Sequence, residues 1–208
     1  MAVSNFRTSS IRTGTTRNTM WDQVTVDTAY ESIQTVTVPS GGQSSVTLSS
    51  IPSGYKHLQI RGIAQDNRAT YNTSTLNITF NGDNGGNYSN HFLQANWLAG
   101  SSNVETNNDS GSQVSINWPI QVTSTVATNV FGGFVIDILE YANTNMYKTI
   151  RSFSGADANA DVAGYRPVPR LQSGSWRSTN AITSITLVSA FGTTISQYSQ
   201  FALYGIKG

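Results

Sequence analysis

Residues Tyr30 to Gly62, YESIQTVTVPSGGQSSVTLSSIPSGYKHLQIRG, narrow the folds open to this chain more than any other stretch. Ile33, Thr35 and Thr37 alternate with Gln34, Val36 and Val38, the period of a strand. Ser40, Gly41 and Gly42 follow, and glycine takes the positive φ that a tight reversal demands. A second short apolar run ends at a Pro/Gly turn, and a third strand begins after it. The stretch predicts a β-hairpin plus one strand, the opening of an all-β sheet.

Counting that third strand, eight runs after the hairpin carry the same signature: 55–64, 75–81, 88–97, 113–120, 130–141, 147–154, 181–191 and 200–207. In TLNITFNGD, Leu76, Ile78 and Phe80 alternate with polar residues, and the Asn-Gly-Asp end reads as a hairpin turn. ITSITLVSA is β-branched and mostly apolar, as a central strand requires. No stretch shows a sustained 3.6-residue period, and no repeat of solenoid length occurs. The expected fold is therefore an antiparallel jelly-roll-like β-sandwich of about 8–10 strands with an extended N-terminal arm. Polar segments at 99–111 and 156–175 read as long surface loops.

A length of 208 residues suits one such body, expected over residues 30–208, preceded by an arm over 1–29. Only 11% of the residues are charged, so hydroxyls and amides must wet most of the surface. Residues 1–20 hold Arg7, Arg12 and Arg17 with no acid, leaving nine basic and eleven acidic groups in the rest of the chain. A near-neutral body behind a basic arm fits docking on an acidic protein surface rather than wrapping nucleic acid. The chain has no cysteine, which removes disulfides and thiolate metal sites. Its N-terminus lacks the apolar run of a secretory signal, and no window approaches a membrane span.

Catalytic constellations are not evident. The two histidines, His57 and His91, sit in strand-like runs, where each is expected to fill a strand face or bond a neighbour. No Gly-x-Ser-x-Gly elbow appears. Asp137 and Glu140 are three apart in FVIDILEYA, on opposite faces of a strand and poorly placed as an acid and base pair. Asp137, set in an apolar run, is expected to be a buried carboxylate, hydrogen-bonded or paired with arginine. Asp157, Asn159 and Asp161 begin like a calcium loop, but Val162 and Val168 stand where that loop needs glycine and glutamate. The expectation is a non-enzymatic protein with no catalytic residues, metal or cofactor.

YESIQTVTV, the Ser-Gly-Gly turn, IPSGYKHLQIRGIA, ITFNGD with NYSNH, and the closing FALYGIKG together resemble a family of small virion proteins of tailed bacteriophages. The resemblance spans about residues 30–208. It implies a virion structural module with a jelly-roll-like body that assembles as a homotrimer among other capsid or tail proteins. The arm is then the docking element of a capsid cement or decoration protein, with Arg7, Arg12 and Arg17 pairing with acidic groups while Phe6, Ile11 and Trp21 fill apolar pockets. A tail fibre, baseplate or adaptor protein is the alternative, in which Trp97, Tyr165 and Trp176 on long loops read a host surface polysaccharide.

Overall fold

The computed structural model describes the backbone of residues 29–68, 73–98, 101–113, 116–122, 129–155 and 169–208, and the side chains of 29–68, 74–95, 129–155 and 169–208. Among these residues are twelve strands: β1 (Tyr30–Thr37), β2 (Ser45–Leu48), β3 (His57–Asp66), β4 (Thr73–Phe80), β5 (Tyr88–Leu98), β6 (Ser101–Gln113), β7 (Ile116–Val122), β8 (Gly132–Leu139), β9 (Lys148–Gly155), β10 (Arg170–Trp176), β11 (Ile185–Ser189) and β12 (Gln200–Ile206).

They form a β-sandwich. One sheet begins β1-β12-β3-β8 and the other runs β2-β11-β4-β7, which is the strand order of a jelly roll. Strands β9, β10, β5 and β6 continue the first sheet beyond β8. Every ladder is antiparallel except a two-residue parallel contact of Gln65 and Asp66 with Gln121 and Val122.

The expected hairpin over β1 and β2 does not form. β1 pairs with β12 and β2 pairs with β11, so the intervening turn carries the chain from one sheet to the other. Gly41 and Gly42 do take positive φ, 89° and 73°. The residues mark a reversal, but burial of Val46 and Leu48 from the opposite sheet decides where β2 goes. The turn after β4, with Asn81 at φ 53° and Gly82 at 69°, likewise leads across the sandwich rather than into a hairpin.

Both expected long loops contain strand. β6 occupies most of the first and pairs with β5 along its length, while β10 takes the end of the second. Neither segment carries an apolar alternation in its sequence. Each is strand because a neighbouring edge satisfies its backbone groups.

The core lies between the sheets. Leu58, Ile60, Phe134, Ile136, Ile138, Phe201 and Leu203 meet Val46, Leu48, Leu76, Ile78, Phe80, Ile185 and Leu187, all at most 5% exposed. Each such side chain contributes roughly 1.5–3 kcal/mol on burial. An aromatic group of Phe80, Tyr88 and Trp176 continues this core, with Phe80 and Trp176 centroids 5.5 Å apart. Tyr88 Oη donates to the Asp83 carbonyl and accepts from the Phe80 N–H, both at 3.0 Å, and burial pushes the phenol up to about 12.

Toward β9 and β10 the two faces exchange character. Ser152, Ser154, Arg170 and Gln172 point inward and are buried, while Phe153 and Leu171 are 59% and 57% exposed. Arg170 donates from Nε and Nη2 to Gln94 Oε1 and lies over the Phe92 ring. This inversion places apolar side chains on the outside of the larger sheet.

Candidate functional site

The outer face of the larger sheet is built by strand alternation. In β8, Phe134, Ile136 and Ile138 point inward, so Val135 and Asp137 point outward. Antiparallel register then aligns their neighbours. Val135 lies opposite Phe153, Phe153 opposite Leu171, and Leu171 opposite Leu93, an unbroken apolar row across β8, β9, β10 and β5. Leu93 is 46% exposed, so three of the four side chains present about half their surface to solvent.

A polar row runs beside it: Gln59, Asp137, Arg151, Ser173 and His91. On the apolar row's other side, Gly133 pairs with Gly155, and among the described residues no atom beyond the chain neighbours lies within 4 Å of where either glycine's Cβ would stand. Between the rows, Val135, Asp137, Arg151, Phe153 and Leu171 enclose a shallow hollow of about 280 Å³.

Hydrogen bonds hold the polar row. Gln59 Nε2 donates to Asp137 Oδ1 at 2.7 Å, and Arg151 Nε donates to Asp137 Oδ2 at 2.9 Å. Tyr30 Oη and Arg61 Nε both donate to Gln59 Oε1, at 2.6 and 2.8 Å. Tyr30 also stacks on Tyr204 at 4.8 Å, and burial raises its phenol above the ordinary value. The Arg151 side chain is 67% exposed, so its ion pair fixes geometry more than it adds stability. Covering the half-exposed apolar row would yield on the order of 1 kcal/mol per side chain. Such a face can seat a flat apolar surface and orient it by its polar edge.

No family model, curated protein or solved structure matches this chain.

Several predicted residues fall elsewhere. Phe6, Arg7, Ile11, Arg12, Arg17, Trp21 and Tyr165 lie outside the described residues, as do Asp157, Asn159 and Asp161. Trp97 lies within β5, opposite Ser102 of β6, rather than in a loop. Trp176 corrects the expectation of a ligand-facing loop aromatic: it ends β10, is 2% exposed and belongs to the core.

His57 Nδ1 accepts the Glu140 N–H at 3.1 Å, and β8, β9 and β10 separate it from the exposed His91. The two imidazoles therefore do not share a site. Asp137 is paired with arginine as expected but lies part-exposed on the outer face rather than buried, because strand alternation turns it away from Ile136 and Ile138, and Glu140 sits past the strand end, bonded to Lys56 at 2.7 Å. Val135, Phe153, Leu171 and Leu93 were not singled out by sequence reasoning. Their signal was the serine on either side of Phe153 and the polar neighbours of Leu171, which a rule of apolar side inward turns the wrong way.

A second hollow of about 200 Å³ lies among Gly41, Gly42, Asn67, Thr194, Ser196 and Gln197. Its polar groups are largely engaged within the chain. Asn67 Oδ1 accepts the Thr194 N–H at 2.8 Å, and the neighbouring Asp66 accepts from Ser189 and Thr193.

Proposed function

We propose that this chain is a non-enzymatic structural component of a tailed-phage virion, a capsid decoration protein anchored by its N-terminal arm. The observation that carries the reading is the exposed apolar row of Val135, Phe153, Leu171 and Leu93, held in register on a rigid sheet. Contiguous apolar surface on a polar-coated protein marks contact with another macromolecule. The arm joins the body at Ala29, whose carbonyl accepts the Lys207 N–H at 3.0 Å, next to Tyr30 at the end of the polar network. Ala29, where the described body begins, thus lies beside the same polar network.

Deleting residues 2–21 tests the docking role. The truncated chain is expected to keep its circular dichroism and melting temperature yet fail to co-sediment with virions. Undiminished co-sedimentation would remove the arm from the docking role.

A further inference from the structure

We propose that the outer face of β8, β9, β10 and β5 is a two-fold interface between two copies of this chain. The inference rests on reading that face as a contact surface, and it names the partner. What points to a second copy is that the face complements itself row by row. A two-fold axis along the strands, between β9 and β10, sets β9 over the partner copy's β10 and β8 over its β5. Phe153 then meets Leu171 of the other copy twice, and Val135 meets Leu93 twice.

The neighbouring rows match under the same operation. In the polar row Asp137 faces His91 and Arg151 faces Ser173, so a carboxylate meets a hydrogen-bond donor and no like charges are opposed. In the small row Gly133 and Gly155 meet the region of Ala95 and Pro169, whose backbones are joined by an Ala95 N–H to Pro169 carbonyl bond. Short side chains there let the two sheets approach the roughly 10 Å spacing of packed sheets.

Charge and chemistry favour this occupant over the others. The arm carries Arg7, Arg12 and Arg17, but among the described residues of these four strands the outward carboxylate, Asp137, is already paired with Arg151, so the face offers the arm no free acid. A polysaccharide stacks on aromatic rings, whereas three of the four side chains in the row are aliphatic. Four strands at their ordinary spacing, over about eight residues, span roughly 500 Å² in plan. Both copies together then bury about 1,000 Å², the area a specific interface needs to clear.

The test uses the full chain in sedimentation equilibrium. Wild type is expected to be a concentration-dependent dimer. Phe153→Glu alone and Leu171→Arg alone, each with unchanged circular dichroism and with the wild-type melting temperature at dilutions where wild type is monomeric, should each weaken it more than about thirtyfold. Mixing the two variants should restore a heterodimer, because one opposed pair becomes an ion pair and the other stays native. A wild-type monomer at ~100 μM, a trimer, or a mixture that fails to recover would overturn the proposal. Deletion of residues 2–21 should leave the dimer intact, so loss of virion docking and loss of pairing are read separately.

Discussion

Trp176 Nε1 donates to Asp83 Oδ2 across 2.7 Å and so fastens the end of β10 to the loop between β4 and β5. The same carboxylate accepts the Gly85 N–H at 2.8 Å and Asn87 Nδ2 at 2.9 Å. The indole bond above all holds Asp83 below its ordinary 3.8, with Asn87 and Gly85 assisting against the opposing effect of burial. A depressed carboxylate contributes stability that is complete above its unfolded pKa and is lost as pH falls through the folded one. Thermal melts from about pH 5 down to about pH 2 should show wild type losing more stability than Asp83→Asn. Trp176→Ala should cost about 3–5 kcal/mol in urea unfolding, as for a large buried aromatic.

Lys148 opens β9 with its side chain fully buried, and its ammonium donates to the carbonyls of Asn143, Met146 and Thr179. Lys148→Met leaves those carbonyls unpaired and should cost about 2–4 kcal/mol. Burial lowers the amine below its ordinary 10.5. The unfolded chain then binds the proton more tightly, so stability rises with pH from the folded pKa up to 10.5 and levels off above it. Urea titrations in alkaline buffers should show that rise in wild type and not in Lys148→Met.

Gly41 and Gly42 share the turn between β1 and β2, yet they differ in what surrounds them. A Cβ on Gly41 meets open space, while one on Gly42 would run into Thr194 Cγ2 and stand 2.6 Å from the Ile195 carbonyl oxygen. Gly41→Ala should cost only the positive-φ penalty of about 1 kcal/mol. Gly42→Ala should cost about 2–4 kcal/mol, with strain added to overpacking. Differential scanning calorimetry of the pair separates the two effects.

Gly62 and Gly133 offer a second contrast, on the larger sheet. A side chain on Gly62 would overlap the Phe134 ring and stand 2.7 Å from the Gln200 carbonyl oxygen, whereas Gly133 has open space above it. Phe134 is held by Phe201 with ring centroids 5.8 Å apart, so it has little room to retreat. Gly62→Ala should lower stability by about 1–3 kcal/mol. Gly133→Ala should leave the melting temperature nearly unchanged.

How much of this was legible beforehand depends on what each residue encodes. Alternation in ITFNGD and ITSITLVSA announced β4 and β11, because their inward side chains are apolar and their role is burial. Gly41 and Gly42 announced a reversal but not a partner. Local chemistry sets φ, while pairing is chosen by a strand at the far end of the chain. SSNVETNNDSGSQ gave no sign of β6, since its strand character is lent by the edge of β5. The candidate face was hidden for the opposite reason. Phe153 and Leu171 look like core in a one-dimensional reading, and only the inward burial of Ser152, Ser154 and Gln172 shows that they face out.

The last of the described strands is an interior one. β12 lies between β1 and β3, pairing with both. Until Gln200–Ile206 leaves the ribosome, the first strand of the chain has no neighbour and the third has an open edge. The body therefore behaves as a lock whose final pin is made last. Contacts this distant in sequence close slowly, so the edge that β1 and β3 share stays open through most of synthesis and is covered only when β12 arrives between them.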